Sequence, residues 1–163
     1  MDESASQQRK YLEDFEVGQR LSAPGQYEMT NERAIDFARE FDPQPIHTDA
    51  QAAARELFGG LVASGWHTLG ATTRLIMLGR PLGATPVVGV GIDNLRFVAP
   101  VRAGDVLTAE AEVLSVKPSE SRPDRGYLVL RVTTRRRSDD AIVLTQEWTL
   151  ILPRRGATLD LGT

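Results

Sequence analysis

Cysteine is absent from this 163-residue chain. That excludes a thiol nucleophile, a disulfide framework and thiolate metal ligation, and it suits a reducing compartment such as the cytoplasm. No apolar run reaches the roughly eighteen residues that a membrane span needs. The N-terminal Met1-Asp2-Glu3-Ser4-Ala5-Ser6-Gln7-Gln8 lacks the apolar core of a signal peptide. Cationic excess is missing too. The formal net charge is −3, so no general attraction to nucleic acid is expected. Repeats, low-complexity tracts and dividing linkers are also lacking. A soluble cytoplasmic protein is the expectation, with neither nucleic acid nor membrane as partner. The length favours one domain, able to bury roughly 68–70 % of its unfolded surface without metal or disulfide staples.

What is present is ordered along the chain. Residues 1–10 and 156–163 read as tails and 11–155 as a single domain. A first strand is expected over 19–28. Thr30 is placed to cap a helix whose Ala34, Ile35, Phe37, Ala38 and Phe41 recur at helical spacing until Pro43 ends it. Asp49 is placed to cap a short helix over 50–57, which Phe58-Gly59-Gly60 breaks. Ser64-Gly65 opens the longest helix candidate, 66–78. Leu69, Thr73, Ile76 and Met77 form its expected apolar face, and Gly79 and Pro81 stop it. Strands are expected over 86–98, 106–116, 127–135 and 142–151. In the second of these, Leu107, Ala109, Ala111 and Val113 alternate with Thr108, Glu110 and Glu112. Short turns between the strands imply antiparallel neighbours. The order of elements predicts an α+β layer fold, with one long helix covering a curled antiparallel sheet.

Asp42-Pro43-Gln44-Pro45-Ile46-His47 carries the chemistry, and His47 is one of only two histidines. Each proline fixes its own φ and pushes the preceding residue toward extended geometry, so a carboxylate and an imidazole are held in a nearly constant relation. That arrangement suits a pair sharing one water or one substrate proton, with His47 as the base and Asp42 orienting it. Chemistry beside a carbonyl also needs a place for negative charge. The Gly65 amide, at the positive end of the long helix, is a donor without an intrahelical acceptor. Taken alone, these residues leave simpler readings open. Asp before Pro can merely end a helix, His47 can merely satisfy a carbonyl, and Ser64 can merely cap. His67 is expected to be a partly exposed helix residue. Arg135-Arg136-Arg137, followed by Asp139-Asp140, reads as a solvated hairpin end.

Phe41-Asp42-Pro43-Gln44-Pro45-Ile46-His47-Thr48-Asp49, followed by Phe58-Gly59-Gly60-Leu61-Val62-Ala63-Ser64-Gly65, resembles the hydratase motif of MaoC-like dehydratases and (R)-specific enoyl-CoA hydratases. Tyr11-Leu12-Glu13-Asp14-Phe15-Glu16-Val17-Gly18 and Leu95-Arg96-Phe97-Val98-Ala99-Pro100-Val101 are also similar to segments of that family. The resemblance implies a hotdog fold, a sheet wrapped round a central helix with an overhanging helical segment carrying the site. It implies a homodimer or a dimer-based higher oligomer, with sites at or near the interface. Its implied substrate is an acyl-CoA thioester: water adds to a 2-enoyl-CoA or leaves a 3-hydroxyacyl-CoA. In that reaction Asp42 and His47 are catalytic, and the Gly65 amide polarises the thioester carbonyl. Ser64, Gln44 and Thr73 are carried over as substrate-binding positions. Relatives commonly have Asn in place of Gln44 and His in place of Ser64. No metal and no cofactor are expected, since coenzyme A belongs to the substrate. Two alternatives remain: a hotdog thioesterase, against which the lack of Asp or Glu in 66–78 counts, and a non-catalytic acyl-CoA-binding subunit.

Overall fold

The structure, a computed structural model, describes residues 8–157. A single 3₁₀ turn at Leu12–Asp14 leads into strand β1 (Arg20–Glu28). Helices α1 (Asn31–Phe41), α2 (Pro45–Thr48), α3 (Ala50–Ala53) and α4 (Gly65–Gly79) follow. Strands β2 (Val88–Phe97), β3 (Val106–Pro118), β4 (Arg125–Arg136) and β5 (Ala141–Pro153) complete the fold. The sheet is antiparallel, in the order β1-β3-β4-β5-β2.

That order corrects one expectation. β2 does not pair with β3, although only residues 98–105 separate them; it crosses to the far edge and pairs with β5. The connection is no hairpin, because Pro100 carries no N–H for a ladder and Ala63 donates to the Val101 carbonyl at 2.8 Å. A short chain distance therefore does not produce adjacency here.

Alternation places the core as expected. Leu107, Ala109, Ala111 and Val113 of β3 are buried with Leu128, Leu130 and Val132 of β4 and Leu144, Trp148, Leu150 and Leu152 of β5. On the outer face charged side chains meet across the strands, Arg131 with its registered neighbours and Arg135 diagonally. Arg131 reaches Glu112 at 3.7 Å and Glu147 at 3.6 Å, and Arg135 reaches Glu110 at 3.7 Å. Opposite charges across strands favour this register, although each exposed pair contributes little stability. An irregularity between Thr134 and Arg135 in the β4–β5 register leaves both Val143 and Leu144 buried, against strict alternation.

α4 lies on the apolar face of the sheet. Its buried residues are His67, Thr68, Ala71, Thr72, Leu75 and Ile76. The expected face through Thr73 and Met77 is thus rotated: Met77 is exposed and Thr73 half-buried, and Thr72 takes the inward position, sharing a 2.6 Å hydroxyl contact with Thr134. His67 is buried rather than partly exposed. The helix ends on Arg80, which adopts φ +49°, while Gly79 remains helical. What Gly79 supplies is closeness: a Cβ there would lie 2.9 Å from Ala23 Cα of β1. The expected helix over 50–57 shortens to Ala50–Ala53, capped by Asp49 as expected.

Of the expected tails, 1–7 and 158–163 lie outside the described residues. Residues 8–10 are tied down: Arg9 bridges to Gly83, Lys10 Nζ donates to the Pro81 carbonyl at 2.9 Å, and Thr85 Oγ1 donates to the Lys10 carbonyl. Among the described residues no helix is long and apolar enough to cross a membrane.

Candidate active site

Asp42 is the C-cap residue of α1, its N–H bonded to the Ala38 carbonyl at 2.9 Å. Pro43 blocks further helix, and Pro45 sits in the first turn of α2, where its missing N–H costs nothing. α2 is one turn long and ends on the segment carrying His47, so the histidine lies in a short helix rather than a loop. The result is Asp42 Oδ2 at 3.3 Å from His47 Nε2, with the imidazole almost fully buried.

Each group of the pair is held from behind. His47 Nδ1 lies 2.8 Å from the Val62 carbonyl. A carbonyl only accepts, so Nδ1 carries the proton and, in the neutral ring, Nε2 presents its lone pair to the site. The Val62 segment is itself pinned: Val62 N–H donates to the Ile46 carbonyl at 3.2 Å. Asp42 accepts two side-chain hydrogen bonds at 2.7 Å, from Gln44 Nε2 on Oδ1 and from Ser64 Oγ on Oδ2. Gln44, Ser64 and the nearby His47 hold the Asp42 carboxyl below the usual carboxylate range, against the smaller opposing effect of burial.

Ser64 has two roles. It caps α4 by accepting from the Trp66 N–H at 3.2 Å, as its sequence position suggests, and its proton goes to Asp42 across 22 residues of chain. Gly65 follows as the first residue of α4, so its N–H has no acceptor within the helix. A Cβ at Gly65 would meet the Phe97 ring at 2.7 Å, so glycine is what lets that ring close on the helix end.

These groups share a cavity of about 410 Å³. Asp42, Gln44, His47 and Gly65 line it, with Phe58, Trp66 and Phe97 as aromatic walls and Thr68, Val101 and Val143 as further lining. Ser64 is buried, does not line the cavity, and donates its hydroxyl proton to Asp42. Thr73 is not brought to this cavity. It lines a separate cleft of about 260 Å³ with Met77, Gly89, Ile92 and Trp148, because the helix rotation turns it toward β2. Among the described residues no cluster of three or more acidic or histidine side chains could hold a metal ion.

Several contributors were invisible in the sequence. Phe58, Val62 and Phe97 lie within the segments that resemble the family, but nothing there marks them as cavity walls or as a carbonyl partner, and Trp66 and Val143 fall outside any motif. The Ser64–Asp42 bond had only a weak signal, a hydroxyl at a helix start.

A family model described as MaoC like domain matches residues 14–132. The chain belongs to the MaoC-like dehydratase family. This MaoC-like domain is 34 % identical over 113 residues to the 3-hydroxybutyryl-CoA dehydratase of Methylorubrum extorquens, covering 69 % of each chain. The crystal structure of the MaoC-like dehydratase from Rhodospirillum rubrum matches with a TM-score of 0.84 at 38 % identity, covering 90 % of this chain and 98 % of that one. The unliganded (R)-hydratase PhaJ1 from Pseudomonas aeruginosa matches with a TM-score of 0.67 at 25 % identity over 94 % of each chain. The MaoC-like domain has the hotdog fold that the motifs imply, a five-stranded antiparallel sheet curled on α4. The matched span includes Asp42, His47, Ser64 and Gly65 and stops within β4, so Val143 lies outside it.

Proposed function

We propose that this protein is a hydro-lyase that reversibly hydrates a 2-enoyl-CoA to a 3-hydroxyacyl-CoA in the cytoplasm, without a cofactor. One observation carries the reading: a buried carboxylate–imidazole pair, 3.3 Å apart, sharing a cavity wall with the first amide of α4. In the proposed reaction a water on the cavity side bridges Asp42 and His47. Nε2 takes one of its protons while Asp42 orients it, and the oxygen bonds to C3. Electron density moves through C2 to the thioester oxygen, where the Gly65 N–H meets the enolate charge. The proton on Nε2 then passes to C2 and the carbonyl reforms, which restores the pair. Dehydration runs the same steps backwards.

A carboxylate on the central helix, which would direct water at the thioester carbonyl, is missing. α4 has no Asp or Glu, so the thioesterase alternative has no matching group there. For assembly, we propose a homodimer through β2. Among the described residues nothing pairs with its outer edge, and Val90, Ile92 and Phe97 are about half exposed beside the exposed Trp66 and Met77 of α4.

The decisive experiment offers purified protein crotonyl-CoA and longer enoyl-CoA thioesters and follows loss of the enoyl-thioester absorbance. Asp42→Asn and His47→Ala should each lower kcat/KM by about a hundredfold or more. Full activity in both variants, or no turnover with any chain length, overturns the assignment.

A further inference from the structure

His67 is the second histidine of the chain, and the proposed reaction does not use it. It lies in the first turn of α4, three residues after Ser64, and is only 7 % exposed. Its ring is held on two sides. Nε2 and Tyr27 Oη of β1 share a hydrogen bond at 2.9 Å. The ring face stacks on Phe37 of α1, with centroids 4.6 Å apart and planes at 15°. Among the described residues Nδ1 is buried without a partner. A phenyl or isobutyl group would fill this place without burying an unpaired nitrogen, so space filling does not account for an imidazole.

What the imidazole does is join helices. α1 ends on Asp42 and α4 begins on Ser64, and the 2.7 Å bond between them works only if the two helix ends stay in register. α1 offers little other grip. Its buried residues are Ala34 and Ala38, and Phe41 is 63 % exposed. Phe37 is therefore the large side chain through which α1 is held to α4, and it also touches Phe41, the neighbour of Asp42, at 5.0 Å. The Tyr27 bond fixes the edge of the His67 ring and the stack fixes its face, so both rotations of the ring are restrained. Arg33 closes the arrangement from α1, with its guanidinium over Tyr27 at 5.2 Å and its Nη1 on the Glu28 carbonyl at 2.8 Å.

We propose that His67 is a positioning residue: clamped between Tyr27 and Phe37, it sets the C-terminus of α1 against the N-terminus of α4 and so holds the Asp42 carboxylate on Ser64 and facing His47. The inference rests on the hydro-lyase reading for its kinetic consequence, and a second measurement makes its geometric content independent of that reading.

In His67→Ala, kcat should fall about ten- to a hundredfold, the loss expected from misplacing a reacting group by a fraction of an ångström to an ångström, with KM within about twofold. His67→Phe keeps the stack but loses the Tyr27 bond, and should recover only part of that loss. Because the chain has two histidines, either variant leaves His47 as the single imidazole signal in proton NMR. That signal should move in His67→Ala and return part of the way toward its wild-type position in His67→Phe. Should His67→Ala fail to fold, Phe37→Ala removes the same contact from the half-buried α1 side and should show the same fall in kcat and the same NMR shift. A folded His67→Ala or Phe37→Ala protein with wild-type kcat and an unmoved His47 signal overturns the proposal. So does a kcat that falls only in proportion to the folded fraction. If wild-type protein hydrates no enoyl-CoA, the hydro-lyase reading fails alone, and movement of the His47 signal still decides whether His67 positions the pair.

Discussion

In the proposed reaction Asp42 is the residue on which the site turns, and its surroundings determine its charge. Two hydrogen bonds and a neighbouring imidazole favour the ionised form. Its carboxyl therefore titrates below the usual range. A carboxyl lowered by folding adds stability above its unfolded pKa, and that stability is lost as pH falls through the folded value. Ser64→Ala removes one of the two donors. The acidic limb of the kcat/KM profile should then move to higher pH, and kcat should drop about tenfold or more, in line with loss of a hydrogen bond to a charged group. The same substitution removes the α4 cap at a cost of about 1 kcal/mol, so Tm should fall as well. The pH–rate profile separates the two effects, since a lost cap alone lowers Tm without moving the limb.

Among the elements, α4 does the most. Its N-terminus supplies Ser64, Gly65 and His67 to the site region, and its far end seats against β1 through Gly79. The two ends lie roughly 20 Å apart at 1.5 Å per residue. Damage at the far end should therefore cost stability without touching chemistry. Gly79→Ala places a methyl 2.9 Å from the Ala23 backbone, which cannot swing aside as a side-chain tip can. The expected loss is about 1–3 kcal/mol, read as a Tm lower by several degrees, with kcat per folded molecule unchanged. α1 and α2 behave differently. They are short and locally determined, and their function is to deliver Asp42 and His47 to the mouth of the sheet-and-helix core.

For the molecule as a whole, His67 links packing to pH. Burial lowers its pKa, and the Arg33 charge adds to the effect. The folded state therefore keeps the ring neutral where the unfolded chain protonates it, near pH 6.5. Stability is complete above that pH and declines as pH falls from there toward the lower folded value, because the unfolded chain then binds the extra proton. Tm measured between about pH 7.5 and 5 should slope downward toward acid, and His67→Phe should flatten the slope. An equal slope in that variant would assign the effect to other groups.

Much of this architecture was legible because it is local. Thr30, Asp49 and Ser64 cap the helices they precede, and the β3 alternation gives its buried face, since in each case the interacting groups lie within a few residues. Asp42 and His47 meet for the same reason, as two prolines leave five residues of chain little freedom. Contacts between distant segments were not legible. The far-edge pairing of β2, the rotation of α4 that buries His67 and sends Thr73 to another cleft, and the Ser64–Asp42 bond all join segments far apart in the chain. Their energies depend on shape and burial when layers pack, and no side-chain period or spacing along one segment records what the opposing surface will be.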